Sequence, residues 1–131
     1  MVNITLYIEE LKKDTIVNEI NLKEKALSLP AIKAKWVARI INHKNNLNIL
    51  EKRKKNIIRD ALPRVKESLP VKLSDNFIKE KAEETTEVIS VVKDIDEEKM
   101  IIDFLERTEK IISSMSYDMS NIIKIVQLET L

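Results

Sequence analysis

The 131 residues contain no cysteine and no glycine, only three prolines, and aromatic side chains at 4%. The lack of cysteine rules out disulfides, thiolate metal sites and cysteine nucleophiles, and it fits a reducing, intracellular setting. The lack of glycine means that loops needing positive φ must be rare. It also excludes a Gly-rich phosphate-cradling loop, so any ATP-driven step would belong to a partner. With His43 the sole histidine, the acid pairs Glu9-Glu10, Glu83-Glu84 and Glu97-Glu98 have no imidazole partners at helical spacing and read as solvated helix surface. No base, nucleophile and orienting group form a recognisable set. The expectation is a protein that is not an enzyme, holds no metal and needs no cofactor. Scarce aromatics also argue against a groove built mainly on base stacking. No uncharged apolar run approaches the roughly 18 residues of a membrane span, and the N-terminus lacks the basic-then-apolar layout of a secretion signal. A soluble chain with no membrane partner is expected.

What is present is charge and helical periodicity. Hydrophobic residues make up 44% and charged residues 34%, too apolar for a disordered tail and highly charged for a compact monomer. A chain of this size suits one domain, residues 1–131, with self-association as a further source of burial. The net charge of +1 conceals a strong asymmetry: Lys23 to Lys66 holds thirteen Lys/Arg against three Asp/Glu, a balance of +10, and the remainder carries −9.

Periodicity predicts an all-α fold. A short amphipathic helix over 3–13 places Ile4, Ile8 and Leu11 on one face with Tyr7 beside them, and Asn3 is positioned to cap it. A second helical stretch over about 19–28 carries Ile20, Ala26 and Leu27, with Pro30 in the first turn of the next helix. From Trp36 the steps of four and three through Ile40, His43, Leu47, Leu50, Lys54, Ile57 and Ala61 form a heptad seam with two polar members. It should stop near Leu62, because Pro63 lacks a backbone donor and restricts its predecessor, and Pro70 reinforces the break. These elements make up an N-terminal region, 1–66. A connecting helix over 71–93 follows, whose register runs from Phe77 to Val92 through Ile78, Ala82, Thr85 and Ile89. The β-branched run from Thr85 to Val92 leaves a strand as the alternative there. Asp94 and Glu97 form a capping-box variant before the last helix, 95–129. In that helix Ile101, Leu105, Thr108, Ile112, Met115, Met119, Ile122 and Val126 keep an unbroken four-three rhythm. Phe104, Ile111 and Ile125 widen its apolar face on one flank, and Ile102 and Ile123 lie close to the other. The seam residues Ile101, Leu105, Ile112, Met115, Met119, Ile122 and Val126 are the candidate oligomerisation contacts.

The candidate binding feature is the run Lys52-Arg53-Lys54-Lys55 on the long helix. Asn45, Asn48, Lys52, Lys55 and Arg59 line one ridge, with neighbours about 5–6 Å apart, comparable with phosphate steps along an extended strand. Glu51 and Asp60 are the acids near it. Such a ridge is either a solvated helix face or a polyanion site. Arg64, Lys33, Lys35, Arg39 and Lys44 complete the set of candidate polyanion contacts. Trp36 is a possible stacking platform, but its place in the apolar register favours packing, as it does for Tyr7, Phe77, Phe104 and Tyr117. His43 and Lys54 are either register-setting polar insertions or residues that face solvent where the seam opens.

The string Glu9-Glu10-Leu11-Lys12-Lys13-Asp14, followed by Leu22, Ala26 and Lys35-Trp36, resembles the opening of the UvsY family of phage recombination mediators at the same spacing. The likeness continues through Glu51 and Lys54-Lys55 and reappears at Asp103-Phe104, Tyr117 and Ile122; it is weakest between about Ser68 and Val92, where a gap is needed. The resemblance implies a helical mediator that assembles into a ring-like homo-oligomer, a hexamer or heptamer, in the host-cell cytoplasm. It also implies binding to single-stranded DNA and contacts with a phage recombinase and a single-strand-binding protein. The family's basic Lys-Ala-Arg-Leu motif falls on Arg59-Asp60-Ala61-Leu62, where only Arg59 and Leu62 match by type. Arg64 or the Lys52 to Lys55 cluster is then expected to supply the missing charge. The competing reading is a coiled-coil adaptor whose basic stripe pairs with its own acidic C-terminal region, Glu67 onward, which holds fifteen acids and eight bases.

Overall fold

A computed structural model of the chain describes residues 4–69 and 73–130. Those residues form four α-helices, α1 (Ile4–Asp14), α2 (Leu22–Ser68), α3 (Asp75–Glu83) and α4 (Thr86–Glu129), and no strand. The all-α expectation holds. Asn3 and Pro70, expected to cap the first helix and to reinforce the break, lie outside the described residues. Chain segments group into two compact units: residues up to Ile41 with those from Ile101 onward, and Asn42–Met100 between them.

Helix α2 is longer than the prolines suggest. Its buried or half-buried positions Leu22, Lys25, Leu29, Ile32 and Trp36 continue the four-three rhythm of the seam back through Pro30, and Ala61 and Val65 carry it forward past Pro63. The expected separate stretch over 19–28 was placed on the wrong face: Ile20 and Leu27 are 97% and 75% exposed, and the packed residue is Leu29. Neither proline ends the helix. A proline inside a helix costs one backbone hydrogen bond and about 3 kcal/mol, and burial on both sides of each proline offsets that cost. Every seam position from Trp36 to Ala61 is buried or half-buried, as the heptads predict.

In the first unit Leu29, Trp36, Ile101, Leu105, Ile112, Met115 and Met119 form the core, and Tyr7, Leu11 and Leu22 pack against it. Full burial stabilises each large aliphatic side chain by about 1.5–3 kcal/mol. Helix α1 turns Tyr7, Glu10, Leu11 and Asp14 inward, whereas Ile8 is exposed, so its packed face carries two acids that the Ile4, Ile8, Leu11 pattern did not anticipate. The turn between α1 and α2 needs no positive φ. Asn18 Oδ1 accepts from the backbone N–H groups of Ile20 and Asn21 at 3.0 Å, and Asn21 Nδ2 donates to the Ile16 carbonyl at 3.0 Å. No described residue has positive φ, in keeping with a chain that lacks glycine.

In the second unit the boundary between α3 and α4 differs from the sequence reading. Ser74 caps α3, its hydroxyl accepting from the Phe77 N–H at 3.3 Å. Ile78 and Ala82 are buried as expected, but the chain turns at Glu84 and Thr85 and the apolar phase restarts. Val88, Val91 and Ile95 form the buried row that follows, and Ile89 faces outward. The last helix therefore starts at Thr86 and not at residue 95 behind an Asp94 cap. The β-branched run is helical because one face of it is buried at helical, not alternating, spacing. His43 is 4% exposed, and the Glu98 carboxylate accepts from its Nδ1 at 2.8 Å, which makes it a polar insertion in the seam.

Candidate functional site

Two adjacent rows of α2 and one row of α3 enclose a groove of about 440 Å³ in the second unit. On α2 the i, i+4 rows are Glu51, Lys55, Arg59 and Lys54, Ile58, Leu62; on α3 the row is Lys79, Glu83. Lys79 and Glu83 each follow a buried residue, Ile78 and Ala82, so packing of that face carries the neighbouring row to the groove's edge. Four cations line the groove against two carboxylates. Ile58 and Leu62 give it an apolar floor.

Among the described residues no carboxylate lies within ion-pair distance of Lys52, Arg53, Lys54, Lys55 or Lys79. Arg59 meets Asp60 at 3.5 Å, both mostly exposed, and such a pair contributes at most about 1 kcal/mol. Arg64 meets Glu87 at 3.7 Å, again between exposed groups. Of the basic cluster from Lys52 to Arg64, Arg64 alone among described residues pairs with the acidic C-terminal region, which limits the self-neutralising adaptor reading.

The expected ridge is exposed along its length, from Asn45 and Asn48 through Lys52 and Lys55 to Arg59. The four consecutive basic residues, however, do not form one patch, because successive helical positions point about 100° apart. Lys54 and Lys55 line the α2–α3 groove, whereas Arg53 lines a different one with Thr86, Glu87, Ser90 and Asp94 of α4. Lys33 and Lys44 are exposed on α2. Ala61, at the second basic position of the family motif, is buried, so it is a packing residue and cannot present a cation.

Lys35 and Arg39 have another task. Lys35 Nζ lies 3.0 Å from Glu10 Oε1 and 2.6 Å from Asp14 Oδ2, and both terminal guanidinium nitrogens of Arg39 reach the Glu10 carboxylate. The Arg39 guanidinium lies 4.8 Å from the ring centroids of both Tyr7 and Trp36. The Trp36 ring is fully buried and its Nε1 donates to Asp14 Oδ2 at 2.9 Å. Arg39 bonded to its carboxylate holds Glu10 below the usual glutamate range against the opposing effect of burial, with Lys35 acting in the same direction. These cations clamp α1 to α2, and Trp36 is a packing residue whose buried ring offers no stacking surface. Tyr117, expected to pack, is exposed, and Phe77 is partly exposed under Lys81.

Most of the expected oligomer seam belongs to the chain's own core. Ile101, Leu105, Ile112, Met115 and Met119 are buried in the first unit, and Ile122 and Val126 are half-buried. Periodicity predicts a broad apolar face but does not say which neighbour covers it, and here the chain's own first unit covers most of the seam. Sequence reasoning missed Glu10, Asp14, Glu98, Lys79 and Glu83. The spacing of Glu10 and Asp14 matches that of Lys35 and Arg39, one helical turn in each case, and is the signal that would have paired them.

No protein-family model matches the sequence, and comparison with curated proteins returns no match. Among solved structures, the fold matches two crystal forms of the bacteriophage T4 recombination mediator protein UvsY. One has a TM-score of 0.83 at 19% identity over 97% of this chain and 99% of that one. The other has a TM-score of 0.85 at 18% identity over the whole of both chains. The chain has a UvsY-like fold.

Proposed function

We propose that this protein is a recombination mediator that binds single-stranded DNA and helps a phage recombinase load onto strands covered by single-strand-binding protein. The observation that carries the reading is an exposed row of cations on α2, Lys52, Lys55 and Arg59, whose one carboxylate partner among the described residues is the exposed Asp60 beside Arg59, in a chain whose fold matches a recombination mediator from end to end. Lys52, Lys55 and Arg59 are its main strand contacts, with Lys54, Arg53, Arg64, Lys33 and Lys44 adding to the positive field. Several copies, a hexamer or heptamer, present the row repeatedly to one strand, and multivalency supplies affinity that one row lacks. Self-association uses the exposed flank of α4, Ile111 and Ile125 beside Phe104, in place of the buried seam. The protein acts without a cofactor or a catalytic step of its own, in the host-cell cytoplasm.

The test offers the recombinase a single strand already coated with single-strand-binding protein, with and without this protein. Faster recombinase assembly on the strand is expected. No acceleration, or binding confined to duplex DNA, would overturn the reading.

A further inference from the structure

We infer that the groove between α2 and α3 seats one phosphodiester of the bound strand together with its adjoining sugar or base, and that Lys79 of α3 is a strand contact. The inference rests on the strand-binding reading above and extends it from one helix to two. The groove's volume of about 440 Å³ lies within the roughly 300–1,000 Å³ of preformed ligand clefts. Its walls are chemically divided in the way a nucleotide is. Lys54, Lys55, Arg59 and Lys79 offer cationic donors from two helices to an anionic oxygen, and Ile58 and Leu62 offer an apolar surface to the less polar remainder. Glu51 and Glu83 leave an excess of two cations, enough for one phosphate and a disincentive to a denser run of them. The groove is continuous with the exposed ridge, since Lys55 and Arg59 belong to both. A strand following the ridge therefore passes along the groove's edge, where Lys79 waits without a carboxylate partner among the described residues.

The full chain carrying Lys79→Ala, Glu83→Gln or Lys81→Ala is titrated with a fluorescein-labelled oligothymidylate at several salt concentrations, with circular dichroism to confirm folding. Lys79→Ala should weaken binding about 2- to 5-fold, the range an exposed ion pair supports. It should also make the logarithmic salt slope shallower by about 0.7, one phosphate on a single strand. Glu83→Gln should strengthen binding. Lys81→Ala, on the same helix but paired with Glu84 and outside the groove, should change nothing. If Lys79→Ala binds normally while the triple replacement of Lys52, Lys55 and Arg59 by Ala does not, the strand runs on the ridge alone and this inference falls. The functional reading then stands. If neither variant loses affinity, the strand-binding reading falls as well. If Lys79→Ala loses binding to poly-glutamate but not to the oligonucleotide, the groove is an acidic-peptide site and the inference is wrong.

Discussion

Glu10 and Asp14, one turn apart on α1, meet Lys35 and Arg39, one turn apart on α2, and the four charges enclose the Trp36 ring. Each residue here has a defined partner, which is why two cations that look like DNA contacts in the sequence are structural. The pKa of Glu10 is lowered in the folded chain, chiefly by Arg39. A depressed carboxylate pKa contributes stability that is fully present above the unfolded value and is lost as pH falls through the folded one. Glu10→Gln should therefore lower the denaturant midpoint at neutral pH. Its difference from the parent should shrink toward zero in acid, below the folded pKa of Glu10. A difference that stays constant across the titration would mean that packing, and not the ion pairs, is what the substitution removes.

At the scale of elements, the heptad seam dominates local signals. Pro63 lies inside α2, five residues before its last residue, Ser68, and its missing donor leaves the Arg59 carbonyl without its i+4 partner. Pro63→Ala should stabilise the protein by about 1–3 kcal/mol, the helix-interior penalty less the entropy that proline removes from the unfolded chain. An unchanged or lower denaturant midpoint would show that the helix end has adapted fully to the proline. The same dominance explains what was legible in the sequence. Trp36 to Ala61 and Ile101 to Val126 were read in the right register because four-three spacing over several turns outweighs any single residue. The start of α4 was misplaced because Asp94 and Glu97 mimic a cap, whereas the real break, Glu84-Thr85, carries neither glycine nor proline. Of the candidate site, the α2 ridge was legible as a row of cations. Its α3 wall was not, since Lys79 meets that row only through tertiary packing of Ile78 and Ala82.

For the whole molecule, apolar periodicity and charge have separate uses. The apolar seam of α4 packs into the chain's own first unit while Ile111 and Ile125 on its flank stay exposed, and on α2 in the second unit Lys52, Arg53, Lys54 and Lys55 have no carboxylate partner among the described residues. Charge balance of the entire chain, +1, says nothing about this; its distribution does. The direct measurement is the salt dependence of oligothymidylate binding by the parent chain and by a variant with Lys52, Lys55 and Arg59 all replaced by Ala. These exposed residues carry no core packing, so helicity and assembly mass should be unchanged. The slope of log affinity against log salt should become shallower by about 2, three contacts at about 0.7 each, with a matching loss of affinity at low salt. Superimposable binding curves from a folded variant of unchanged mass would contradict the assignment of α2 as the strand-binding surface.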